Sequence, residues 1–177
     1  MDIIFEAHAT TQDNESAQAS GWFDVPLSEV GERQAKELGI RRGGENFDAI
    51  FCSDLQRSYR TAELAFGERF PIIRDARLRE CNYGELNQAA KRLVEGMKPA
   101  HIAVSYPGGE SWQQAAARVG EFLEELRTRD DLKRVLMVGH RATQYGLEWY
   151  LHHVPVADIA LAPWHWQPGW RYELPTE

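Results

Sequence analysis

Ile3-Ile4-Phe5-Glu6-Ala7-His8-Ala9-Thr10-Thr11, with Asn14 shortly after, is the stretch that decides how this chain folds. It reads as a short apolar strand that runs straight into a histidine and two hydroxyls. Open α/β sheets present reactive groups at the carboxyl ends of such strands. A second run, Val135-Leu136-Met137-Val138, empties into Gly139-His140. Two parallel strands that end alike can bring two imidazoles to one crevice, so His8 and His140 are the first candidate site residues.

Strand one is expected over about Asp2 to His8 and is followed by a polar loop from Ala9 to Val25. Loops of that length in a compact domain are more often functional than not. Ser28 is expected to cap a helix whose first turn holds Glu29 and Glu32, where carboxylates suit the dipole. Gly43-Gly44 ends it. Phe47 to Cys52 reads as strand two, and Ser53-Asp54 as the cap of a helix bearing Arg57. Pro71-Ile72-Ile73 reads as strand three. Arg77 to Gly84 is turn-rich, with Glu80 at its heart. Ala89 to Met97 suggests a short helix, with Lys91-Arg92 on a solvated face. Ser111 to Thr128 is a long amphipathic helix. Ala142 to His153 is another. The tail from Trp164 to Leu174 alternates aromatic and polar residues around Gln167-Pro168-Gly169, which predicts a β-hairpin. Helices alternating with strands give a three-layer α/β/α fold with a mostly parallel central sheet, as one domain over residues 1–177.

Composition narrows the function. A hydrophobic fraction of 43% is enough for an ordinary globular core. A net charge of -7 argues against nucleic-acid or anionic-membrane partners, so any anion site must be a local cluster of arginine. Cys52 and Cys81 are isolated and suggest neither a zinc site nor a disulfide framework. His152, His153 and His165 are poorly placed to share a metal. The N-terminus lacks the pattern of a signal peptide, and no apolar run is long enough to span a bilayer, so a cytoplasmic location is expected.

The blocks together resemble the histidine phosphatase superfamily, the phosphoglycerate-mutase-like fold. Its usual opening motif, Arg-His-Gly followed by Asn, stands here as Ala7-His8-Ala9 with Asn14. Ser20-Gly21-Trp22 through Ser28, Ser53 to Arg57, Leu78-Arg79-Glu80, Pro107-Gly108-Gly109 and Val138-Gly139-His140 follow in the family's order. The resemblance implies that His8 attacks phosphorus and becomes phosphohistidine. It implies that Arg57 clamps the phosphoryl oxygens and that His140 stabilises their charge. Glu80 would protonate the leaving oxygen, and Thr10, Asn14, Ser20 and Gly21 would contact phosphate or substrate. No cofactor and no metal are implied. The partner is a small phosphorylated metabolite or inorganic phosphate, and oligomeric state is left open.

Three departures matter: Ala7 in place of arginine, and Ala9 and Arg141 in place of glycines. A charge-assisted hydrogen bond is worth about 1.5–3 kcal/mol, so an uncompensated loss should slow turnover by orders of magnitude. One rearrangement accounts for the pattern. Arg141 would reach across from the neighbouring strand to the phosphoryl oxygens, with Glu6 holding its guanidinium in place. Two classes therefore stay open, a metal-independent phosphomonoester hydrolase and a catalytically weak relative that binds a phosphorylated ligand or protein partner. A mutase is the weaker enzyme reading, because the stretch from Glu80 to Pro107 is short for a carboxylate-gripping insertion.

Overall fold

Strand β1 (Asp2–Ala7) lies second from one edge of the sheet and sets which residues face which layer. The computed structural model describes residues 1–175. The elements that follow are a short helix α1 (Gln12–Glu15), β2 (Gln18–Ala19), α2 (Glu29–Arg41), β3 (Ala49–Cys52) and α3 (Gln56–Phe66). Then come β4 (Ile72–Arg74), β5 (Ala89–Ala90), α4 (Lys91–Met97), α5 (Trp112–Leu126) and β6 (Arg134–Gly139). Helices α6 (Arg141–His152) and α7 (Val156–Leu161) and strand β7 (Trp170–Glu173) follow.

The central sheet runs β4-β3-β6-β1-β7. Its first four strands are parallel, and β7 joins β1 antiparallel. Side chains alternate across a strand, so Ile3 and Phe5 go to one layer and Ile4 and Glu6 to the other. The first layer packs Val119, Phe122 and Leu123 of α5 and Leu147 of α6. The second packs Leu38 of α2 and Ala62 and Phe66 of α3. Each fully buried aliphatic or aromatic side chain here contributes about 1.5–3 kcal/mol relative to exposure. A third cluster, around Tyr83, Trp112 and Tyr145, lies under the Glu80 segment.

Several expectations hold. Ser28 caps α2 by accepting from the Gly31 N–H at 3.2 Å, and β1 and β6 are parallel neighbours. Four differ. The polar loop contains α1 and the β2 strand that pairs with β5. Strand one stops at Ala7, one residue short of His8. Ser53-Asp54 does not cap α3, whose N-cap is Leu55 without a side-chain bond. The tail is not a hairpin: residues 163–169 are irregular, and Trp170–Glu173 pairs with β1 instead. The alternation of Trp170, Tyr172 and Leu174 is real, but the open edge of β1 satisfies it. No helix among the described residues is long and apolar enough to cross a membrane.

Candidate active site

The register of β1 on β6 pairs Ala7 with Gly139, so the residues that follow emerge side by side. The His8 amide donates to the Gly139 carbonyl at 2.9 Å, and the His8 and His140 rings lie 5.0 Å apart between centroids. Gly139 has no room for a side chain, since a Cβ there would meet Thr143 Oγ1 at 2.5 Å. The same threonine oxygen accepts the His140 amide at 3.0 Å.

His8 Nδ1 sits 2.7 Å from the Ala9 carbonyl. A carbonyl can only accept, so Nδ1 carries the hydrogen and Nε2 keeps its lone pair. Burial, reinforced by the nearby Arg57 charge, lowers the His8 pKa to about 3, so the ring is neutral. Burial first and Arg57 second also hold His140 well below its ordinary value. Its Nε2 is 2.7 Å from Ser53 Oγ, while its buried Nδ1 has no hydrogen-bond partner among the described residues. Ser53 Oγ also receives the Leu55 N–H at 3.3 Å.

Arg57 is almost completely buried, and two of its donors go to backbone, to Gly21 O at 2.6 Å and Phe23 O at 3.1 Å. Gly21 holds φ +56° there, and a Cβ would strike Asn87 Oδ1 at 2.0 Å, so the arginine is seated on a turn only glycine can make. Glu80 Oε1 accepts the Cys81 and Ala142 amides at 2.9 and 3.1 Å, which ties it to the start of α6. Its own carbonyl takes the Trp22 indole N–H at 2.7 Å and Arg118 Nη2 at 2.8 Å. Arg118 also binds the carbonyls of Arg77 and Arg79 and the Glu110 carboxylate. This clasp, which the sequence reading did not anticipate, holds the whole acid segment against α5.

A cavity of about 310 Å³ is lined by every residue singled out from the sequence: His8, Thr10, Asn14, Ser20, Gly21, Arg57, Glu80, His140 and Arg141. Several are committed locally as well. Asn14 and Thr11 cap one another reciprocally at the start of α1. Ser20 Oγ donates to Asp13 at 2.9 Å, and the Thr10 amide donates to Gln34 at 2.9 Å.

The expected partnership of Glu6 with Arg141 is wrong. Glu6 faces the α2 layer by strand alternation and pairs with Arg41 and Arg42 at 3.0 and 2.7 Å. Arg141 begins α6 on the opposite layer, where it pairs with Glu95 at 2.8 Å and lies over the Trp164 ring at 5.0 Å. Lys91, read as solvated, lines the cavity, as do Glu95, Trp164 and Trp166. Ser53 was also missed as a site residue. Neither segment announces this in sequence, because it depends on the register of β3 on β6, which sets Cys52 beside Val138 and so brings Ser53 near His140.

The constellation of two histidines, an arginine and a carboxylate lies at the carboxyl edge of a mostly parallel sheet. The sequence pattern of the histidine phosphatase superfamily, branch 1, matches residues 3–166, and the chain belongs to that family. A 2,3-bisphosphoglycerate-dependent phosphoglycerate mutase of Cytophaga hutchinsonii is 30% identical over 171 residues, covering 89% of this chain and 80% of the relative. Phosphoserine phosphatase 1 of Hydrogenobacter thermophilus is 32% identical over 149 residues, covering 79% and 71%. Among solved structures, Bacillus stearothermophilus YhfR superposes with TM-score 0.84 at 25% identity, covering 97% of this chain and 90% of that one. The alpha-ribazole phosphatase of Shigella flexneri superposes with TM-score 0.78 at 25% identity, covering 90% and 83%.

Proposed function

We propose that this chain is a metal-independent phosphomonoester hydrolase that works through a phosphohistidine on His8. The observation that carries the reading is the state of His8. Its ring is neutral, Nδ1–H is fixed on a carbonyl, and Nε2 is left as an available nucleophile in a cavity shared with Arg57, Glu80 and His140. In the first step Nε2 forms a bond to phosphorus as the P–O ester bond breaks, and Glu80 gives its proton to the departing oxygen. In the second, water attacks phosphorus, the N–P bond breaks, and Glu80 takes the proton of that water. Inorganic phosphate leaves and His8 is restored.

Charge that spreads over the phosphoryl oxygens in a loose transition state needs donors already in place. Arg57 supplies those not spent on Gly21 and Phe23. A Ser53 hydroxyl that receives the Leu55 amide and donates to His140 Nε2 leaves the His140 Nδ1–H as a second donor. Arg141 takes the place of the arginine missing at Ala7. It has to leave Glu95 to do so, and that partly exposed pair is worth only about 0–1 kcal/mol, less than the roughly 1.5–3 kcal/mol of a charge-assisted bond to phosphate.

A second reading has its own support. With Ala7 in the strand and both cavity arginines engaged by protein groups, the site could bind a phosphorylated ligand without turning it over. Single-turnover labelling of His8 separates the two, because a binding protein forms no phosphoenzyme.

A further inference from the structure

Tyr83, Trp164 and Trp166 are the large aromatic side chains that line the cavity, and the first two are already occupied. Tyr83 is buried, edge-on to Tyr106 at 5.3 Å. Trp164 gives its N–H to Gln144 at 2.7 Å and carries the Arg141 guanidinium over its ring. Trp166 is different. It is 59% exposed, and among the described residues its ring packs on no other aromatic ring. The Arg41 guanidinium lies 6.0 Å from the ring centroid, at the outer limit for a cation–π contact.

The segment that carries Trp166 is anchored. Arg42, held by the buried Glu6 carboxylate, donates to the Pro168 carbonyl at 3.2 Å. Gly169 lets that guanidinium pass, since a Cβ there would sit 2.1 Å from Arg42 Nη2. An indole on a fixed strap, with a large apolar surface left in water, lines two adjoining cavities. One is the catalytic cavity, and the other, of about 400 Å³, runs behind Ala7 against Gln34 and Glu37 of α2. Their combined space is that of a site for a small organic ligand, roughly 300–1,000 Å³, and exceeds what a phosphate alone would fill.

We infer that the phosphomonoester taken by this site carries a flat aromatic or heteroaromatic ring in its leaving group, and that this ring stacks on Trp166. The inference rests on the phosphohydrolase reading above and adds the substrate class. Stacking requires a π-face and no particular hydrogen-bonding edge, so it selects a class of ring.

The test compares esters that share one leaving oxygen and differ in the ring: adenosine 5'-monophosphate against ribose 5-phosphate, and benzyl against cyclohexylmethyl phosphate. In at least one pair kcat/KM favours the ring-bearing ester by roughly five- to a hundredfold, the effect of one stacked ring. Trp166→Ala removes that preference by raising KM more for the ring-bearing ester than for the ringless one, whereas Trp166→Phe keeps part of it. Binding of the same four esters to His8→Ala, measured by calorimetry, shows the same preference without turnover. An absence of phosphohistidine together with ring-selective binding would overturn the hydrolase reading and keep the stacking site. Equal binding within both pairs, or a Trp166→Ala loss shared by ringed and ringless esters, would overturn the stacking inference even in an active enzyme.

Discussion

Glu6 and Arg42 form an ion pair beneath the sheet, with Arg42 Nη2 and Nε 2.7 and 2.9 Å from Glu6 Oε1 and the Glu6 side chain 2% exposed. Arg41 reaches the other carboxylate oxygen at 3.0 Å. A carboxylate inside an apolar strand is tolerable only when so matched.

Removal of one partner leaves the other uncompensated. Glu6→Ala is therefore expected to cost about 3 kcal/mol, at the low end for buried pairs because Arg41 and Arg42 keep some solvent. Urea unfolding checks this. Phosphate affinity should stay near that of the parent, since Glu6 does not hold Arg141; a large loss of affinity would restore the abandoned partnership.

The parallel sheet was legible because its strands are short apolar runs, and β1 and β6 each end in a histidine. The meeting of His8 and His140 followed from the same strand ends, whereas Arg57 and Glu80 were legible only through the resemblance to the family. What could not be read was long-range. Trp170 and Tyr172 show alternation but not a partner, and the partner turned out to be β1 at the far end of the chain. Glu6 and Arg141 are both near the site in sequence terms, yet strand alternation sends one to each layer. Ser53 looked like an ordinary helix cap, and only the register of β3 on β6 reveals that its hydroxyl belongs to His140.

Arg141 is the residue on which anion binding is expected to turn. Arg141→Ala should weaken phosphate or vanadate binding about tenfold or more, on the scale of one charge-assisted contact. Arg141→Lys should recover part of that, because an ammonium lacks the planar fork. Isothermal titration with vanadate measures both. Equal affinity in Arg141→Ala and the parent would mean that Ala7 is uncompensated.

The neutral histidines impose a pH dependence on stability. His8 is lowered to about 3 and His140 well below its ordinary value, each chiefly by burial and then by Arg57. In the unfolded chain both titrate near 6.5. Between there and about pH 3 the unfolded state binds protons that the folded state refuses, so stability is full above 6.5 and falls as pH drops. The slope is at most about 1.4 kcal/mol per pH unit for each histidine, and less for His8, whose ring edge meets solvent in the cavity. Urea midpoints read from pH 6.5 to 5 should fall more steeply in the parent than in a His8→Asn, His140→Asn double variant. Parallel slopes would mean that the imidazoles are not held neutral.

The central claim is that His8 Nε2 becomes covalently phosphorylated. Rapid alkaline quench of the protein with a ³²P-labelled phosphomonoester, followed by peptide mapping at alkaline pH, tests it most directly. The account predicts an acid-labile, base-stable label on His8 that forms within the first turnover and is absent from His8→Ala. Hydrolysis at the parent rate in His8→Ala, or label recovered on another residue, would contradict it.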